Sequence, residues 1–164
     1  ELLMVIALTG IITAAITTTV FQVYNINTRT ANHMVAVSQV QQAGKLVSQD
    51  VLQSQTVDPD NDPGTPELEV FTLSWTDWAT AYVHKVVYTL VDMSSGEWKI
   101  LWREHYVKED SSFELDSTTS VAEYIDPDQT SLAPEDGAWV FTVTARVGDE
   151  SEQRIYKIQP RPGS

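Results

Sequence analysis

The hydrophobic pattern divides the chain into three stretches. Residues 2–21, Leu-Leu-Met-Val-Ile-Ala-Leu-Thr-Gly-Ile-Ile-Thr-Ala-Ala-Ile-Thr-Thr-Thr-Val-Phe, are apolar nearly all round. A bilayer span needs about 20 such residues. From Asn25 the pattern becomes amphipathic. Met34, Val37, Val40, Gly44, Val47 and Val51 recur at spacings of three and four, the signature of one helix face. Gln39, Gln41, Gln42, Lys45, Gln49 and Gln53 fall largely off that stripe. Residues 1–55 contain no proline, and their only glycines are Gly10 and Gly44. Nothing stops a helix before Asp58-Pro59, so the pattern predicts one helix of roughly 80 Å at 1.5 Å per residue.

Beyond it, Asp58-Pro-Asp-Asn-Asp-Pro-Gly-Thr-Pro66 reads as a loop by composition. The period then switches to two. Strands are expected over 67–75, 82–91, 97–107, 138–147 and 152–159, with a weaker one over 121–125. Turns are expected at Ser94–Gly96, Asp126–Asp128, Pro134–Gly137 and Gly148-Asp149. Ser117-Thr-Thr-Ser120 reads as a loop. The hairpin-like spacing implies an antiparallel sheet with one face buried, and the helical stripe is its natural cover. The expected class is α+β. Its parts are an apolar helix over 1–28, an amphipathic continuation over 29–57, an acidic linker over 58–66 and a β head over 67–164.

Charge sharpens this division. Glu1 is followed by no charged residue until Arg29. A carboxylate at the head of an apolar span costs several kcal/mol in hydrocarbon, about 3 by insertion scales, and calls for a cationic partner. Residues 1–56 are electrically neutral, and residues 57–164 carry the whole net charge of −13. An acidic head repels nucleic acid and anionic headgroups, so no nucleic-acid partner is expected. With no cysteine, disulfides and thiolate chemistry are excluded. The basic n-region and small-residue cleavage site of a signal peptide are missing around the apolar run, so it is expected to be retained in the mature protein.

The opening Glu1-Leu-Leu-Met-Val-Ile-Ala-Leu-Thr-Gly10-Ile-Ile-Thr-Ala-Ala resembles the N-terminus of the type IV pilin-like proteins, the pilins and the pseudopilins of type II secretion. Glu1, Leu2, Gly10, Ala14 and Ala15 fall on the family pattern. The resemblance covers about the first 25 residues. It implies a pilin-like fold in which a long N-terminal helix packs on an antiparallel head, and it implies no cofactor. It makes Glu1 the assembly glutamate, pairing with the N-terminal amine of a neighbouring subunit as the helix leaves the membrane for a filament core. The partners it implies are further copies of this chain or related pilins, an inner-membrane assembly platform, a prepilin peptidase and, before assembly, the membrane. The implied location is the bacterial cell envelope, first the cytoplasmic membrane and then an extracellular filament or periplasmic pseudopilus.

The chain departs from the family in three ways. The residues that precede the glutamate in the family lie outside this chain. Thr18 stands where many major pilins carry a helix-kinking proline, and there is no C-terminal disulfide loop. A second, looser resemblance links the segment ending Gln49-Asp50-Val-Leu, then Val-Val-Tyr88, then Ile100-Leu-Trp-Arg103, to J-type minor pseudopilins.

Each candidate site has a plainer reading beside it. Gly10 serves close helix packing or is merely a tolerated glycine. Thr17, Thr18 and Thr19 form a β-branched run of low helix propensity, where the helix is expected to loosen outside lipid. Asp58, Asp60 and Asp62 resemble the front half of an EF-hand calcium loop, but Gly64 comes one residue late, so a solvated acidic turn is the better reading. Metal sites are otherwise not expected. The five tryptophans read as core and interface anchors, with Trp78 the one placed for exposure. His33, His84 and His105 read as scattered. No HExxH, GxSxG or phosphate-binding glycine loop is present, so no enzyme is expected. The expected roles, in order, are a pilus-like filament subunit, a minor pseudopilin at the tip of a secretion pseudopilus, and a single-span anchored binding module.

Overall fold

The computed structural model describes residues 2–59, 68–94, 96–109 and 112–159. One helix, α1 (Leu2–Gln53), runs unbroken for 52 residues, about 80 Å. Residues 2–31 are exposed along their whole length, and α1 first sinks into the rest of the molecule at Ala36. The helix stops at Gln53, short of the 55 to 57 expected from the sequence. Ser54 ends it: its Oγ donates to the Val51 carbonyl at 2.8 Å, and Gln55 N–H turns away to Ser74 O at 2.9 Å. The residues that follow become a strand instead.

Among the described residues the head is one eight-stranded antiparallel sheet. Its strands are β1 (Thr56–Asp58), β2 (Leu68–Thr76), β3 (Val83–Asp92), β4 (Lys99–Lys108), β5 (Phe113–Ile125), β6 (Ser131–Glu135), β7 (Ala138–Val147) and β8 (Glu150–Ile158). The order is β1-β2-β3-β4-β5-β7, with β6 and β8 also on β7. Because β8 pairs β7 along its full length, β6 and the end of β5 share the other edge of β7. The protein is therefore α+β, a long N-terminal helix packed on an antiparallel sheet, in keeping with the pilin-like description.

The five strands expected over 67–75, 82–91, 97–107, 138–147 and 152–159 form at those places. Three elements differ. β5 begins at Phe113 and absorbs Ser117–Ser120, expected as a loop. Its polar residues are exposed, and backbone pairing to β4 holds them, with Ser117 opposite His105 and Ser120 opposite Trp102. β6 takes Pro134, expected in a turn, and the turn tightens to Asp136-Gly137, both at positive φ. β1 was not foreseen. Its three residues add to the edge of β2 through Thr56 opposite Ser74 and Asp58 opposite Thr72.

The helix lies across one face of the sheet, chiefly against β8, β7 and β5. Ala36, Val40, Ala43, Val47 and Val51 are fully buried there, against Phe71, Tyr88, Leu101, Ile125, Phe141 and Val143. Each buried valine contributes roughly 2 kcal/mol. Met34, expected on this face, is exposed. The packed face follows a 4-3-4 spacing through Ala36 and Ala43, small residues that let the helix sit close. Trp75 and Trp139 pack against the same core, and Trp78 is 83% exposed, as its loop position implied.

Candidate functional site

The arm formed by residues 2–31 is the largest unusual feature of the surface. Leu2, Leu3, Ile6, Leu8, Ile11, Ile16 and Phe21 are all more than half exposed. Monomeric proteins rarely leave so large a contiguous apolar surface in water. The described residues contain one helix long and apolar enough to cross a membrane, and it is this one. Val5, Thr9, Gly10, Thr13, Ala14 and Thr17 line a shallow apolar furrow on one side of the arm. Around Gly10 an added Cβ would meet nothing within 4 Å.

Glu1 lies outside the described residues. Thr17, Thr18 and Thr19 are helical, and each hydroxyl donates to the carbonyl four residues back at 2.9 Å. Thr9 and Thr13 do the same at 2.8 Å. These bonds satisfy the hydroxyls within the helix, so an apolar solvent meets few free donors. Residues 10–19 are helical in this structure. Asp58 lies in β1, and Asp60 and Asp62 fall outside the described residues.

The arm is fixed to the head at three levels. At the exit point, Arg29 Nε bonds Glu150 Oε1 at 2.8 Å, and that bond raises the guanidinium pKa further. Midway, the Tyr156 hydroxyl donates to the Val40 carbonyl at 3.0 Å, with the ring lying against Gly44. Near the helix end sits a group the sequence reading missed. Asp50 is buried on the apolar stripe. Its Oδ2 accepts from Arg103 Nε and from the Tyr88 hydroxyl, both at 2.6 Å, and its Oδ1 accepts from Arg103 Nη2 at 3.2 Å. Tyr88 and Arg103 stand directly opposite on β3 and β4, which puts both side chains on one face. Burial, and next the Asp50 charge, pushes the Tyr88 phenol far up, so it remains a donor. Burial would lower the Arg103 pKa, but the hydrogen bond and charge of Asp50 outweigh it and the net shift is upward. The signal was present in the sequence: an acid on an apolar helical stripe requires a buried cation.

No family model, curated sequence or solved structure matches the chain. The coarse architecture, one long apolar N-terminal helix on an antiparallel sheet, is compatible with a pilin-like fold.

A second group also escaped the sequence reading. His84 and His105, which read as scattered, are neighbours. His84 Nδ1 lies 3.1 Å from His105 Nε2, and His105 Nδ1 lies 2.9 Å from Asp116 Oδ2. Trp75 lies parallel to both rings, at 5.2 and 6.0 Å between centroids. Strand register, which single-sequence patterning does not give, brings them together.

The adjoining β2–β3 turn is tightly built. Asp77 accepts from Ala79 N–H at 2.9 Å and from the Thr80 hydroxyl at 3.0 Å, and Ala81 takes φ 61°. These two bonds, the Ala79 one first, hold the Asp77 carboxyl below the usual carboxylate range. A carboxyl lowered in the folded state stabilises the turn above its unfolded value, about pH 4. That contribution is lost as pH falls through the lowered value. The hydrogen-exchange protection of the Ala79 amide is expected to drop on acidification below about pH 4, while that of Leu90 in the sheet persists. Unchanged Ala79 protection down to pH 2 would remove the carboxylate from this role.

Proposed function

We propose that this chain is a non-catalytic structural subunit of a type IV pilus-like filament, polymerising through residues 2–28. The observation that carries the proposal is the arm: a charge-free helix standing clear of a folded, acidic head. Such a surface is stable in two settings, lipid or a bundle of like helices. The threonine back-bonds suit both, since they leave few free polar groups on the outside. The furrow around Gly10 and Ala14 suits close approach of another helix. On this reading the subunit waits in the cytoplasmic membrane with Arg29 and the head on the outer side. It then enters the filament, where Glu1 neutralises a neighbouring N-terminal amine.

Two stages test this reading. Electron microscopy of sheared surface filaments, with mass spectrometry of their main component, is expected to find this chain as the bulk species. Trace amounts would favour the minor, J-type tip subunit, whose segments around Asp50, Tyr88 and Arg103 meet in the hub described above. A detergent-solubilised monomer that never polymerises would favour a single-span anchored module. Glu1→Ala is expected to cut filament yield by about tenfold or more, because an unpaired ammonium buried in an apolar bundle costs about 3 kcal/mol or more. Membrane insertion should be unaffected. Normal filament yield would remove Glu1 from assembly.

A further inference from the structure

The geometry points to a binding site for a divalent transition-metal ion of the kind imidazole nitrogen favours, such as Cu²⁺, Ni²⁺ or Zn²⁺, on His84 and His105. The site lies on the same face of the sheet as Tyr88 and Arg103, four residues along β3 from Tyr88 and two along β4 from Arg103. It sits next to the Asp77 turn.

Three observations carry the inference. The first is convergence. Two ring nitrogens on neighbouring strands approach to 3.1 Å, with the rings 9° from parallel. An ion at the usual 2.0–2.1 Å from each nitrogen would subtend an angle of about 100°, within the range of four-coordinate sites, once each ring pivots by roughly 40° in its own plane to aim its lone pair at the ion.

The second is the carboxylate behind the pair. An ionised Asp116 can only accept, which assigns the proton to His105 Nδ1 and, in the neutral ring, turns the Nε2 lone pair to His84. Metal-binding histidines commonly donate their other nitrogen to a carboxylate in this way, which fixes the tautomer and raises ligand basicity.

The third is how Asp116 gets there. The β4–β5 register runs His105 opposite Ser117 and then Tyr106 opposite Leu115. Asp116 is the extra, unpaired residue of a β-bulge. Bulges re-aim side chains and recur beside functional sites.

The surroundings fit a cation. Asp77 interacts electrostatically with His84, and the head as a whole is acidic. His105 retains 16% side-chain exposure and Asp116 retains 56%, so the pair is open to solvent. Trp75 stacks parallel to both rings and keeps them close to one plane. Among the described residues no set of three or more His, Asp or Glu could hold a metal ion. The protein therefore supplies two ligands and water completes the shell. Without the ion, one proton bridges the two imidazoles. When the ion enters, that proton leaves His84 Nδ1 and His84 Nε2 takes one from solvent. Both rings stay neutral and no net proton is released.

The test uses the full chain in detergent micelles, titrated with Cu²⁺ and followed by calorimetry and electron paramagnetic resonance. One site per chain is expected, with hyperfine structure from two nitrogens. His84→Gln and His105→Gln should each remove that signal, and His33→Gln should leave it intact. Asp116→Asn should weaken affinity by about 10–100-fold, the usual cost of losing an outer-shell carboxylate. The thermal midpoint of each metal-free variant separates loss of ligand from loss of fold. A two-nitrogen signal that survives the double His84→Gln, His105→Gln substitution would overturn the assignment. So would its absence from the unsubstituted chain. Either result stands apart from filament formation, which this site does not require.

Discussion

Replacing Asp50 with alanine is expected to destabilise the head by about 3–5 kcal/mol, the usual cost of removing one member of a buried ion pair. The loss comes mostly from what remains. Arg103 keeps its charge with only 16% of its side chain exposed, and the Tyr88 hydroxyl keeps a donor with no acceptor. A drop of roughly 10 °C or more in thermal midpoint should follow. Tyr88→Phe removes a donor but leaves no stranded charge, so it should cost less, about 1.5–3 kcal/mol for a hydrogen bond to a charged group. The decisive variant is the triple Asp50→Leu, Tyr88→Phe, Arg103→Met. Swapping an entire buried polar group for apolar residues of like size is often neutral or stabilising. If the triple recovers most of the stability lost in Asp50→Ala, the group's role is to fix where the helix end meets β3 and β4. If it recovers none, the hub contributes net stability in its own right. Circular dichroism melts of the four proteins decide between these outcomes.

That group also marks the limit of what the sequence makes legible. Period alone finds the helix, because 52 residues without proline leave no alternative. Alternation together with β-branched and aromatic content finds β2, β3, β4, β7 and β8, even though β3 buries five consecutive residues rather than one face. It fails for β5, whose first eight residues are exposed and held by backbone pairing to β4 rather than by burial. It fails for β1, where three residues join a sheet only because Ser54 ends the helix beside the β2 edge. The stripe on α1 is legible in outline and wrong in detail. Met34 scores as core by hydrophobicity, yet it sits about 160° round the helix from Ala36 and faces away from the sheet, which reaches as far as Asn32 and Arg29, so Ala36 takes the buried place. The two polar clusters depend on register: Tyr88 opposite Arg103, and the Asp116 bulge against His105. Register is set by turns and bulges spread over the whole head, so no local window contains it. The furrow and the exposed arm, by contrast, follow directly from residues 2–28 and their lack of charge.

Gly44→Leu is expected to loosen the joint between arm and head by about 3 kcal/mol, the upper end of the usual cost of overpacking. A Cβ at position 44 would fall 2.0 Å from Cζ of Tyr156 and 2.1 Å from Cε2, far inside contact distance. The ring cannot simply swing aside, because its hydroxyl is bound to the Val40 carbonyl one turn earlier on the same helix. Either that bond breaks or the helix lifts off β8. Glycine at this mid-helix position carries its own cost of about 0.5–1 kcal/mol relative to alanine. The close approach must therefore return more than that. A paired substitution separates the two contributions. Gly44→Ala alone should destabilise, while Gly44→Ala with Tyr156→Leu should recover part of the loss, because the clash is gone and the alanine favours the helix. Full additivity of the two single changes would sink the argument, since contacting residues should show coupling of about 0.5–3 kcal/mol. Lifting the helix also tilts the arm on the head, and under the proposed filament role the arm requires a fixed tilt. Gly44→Leu is therefore expected to lower filament yield even under conditions where the head remains folded, and filament counts compared at matched subunit levels would read this out.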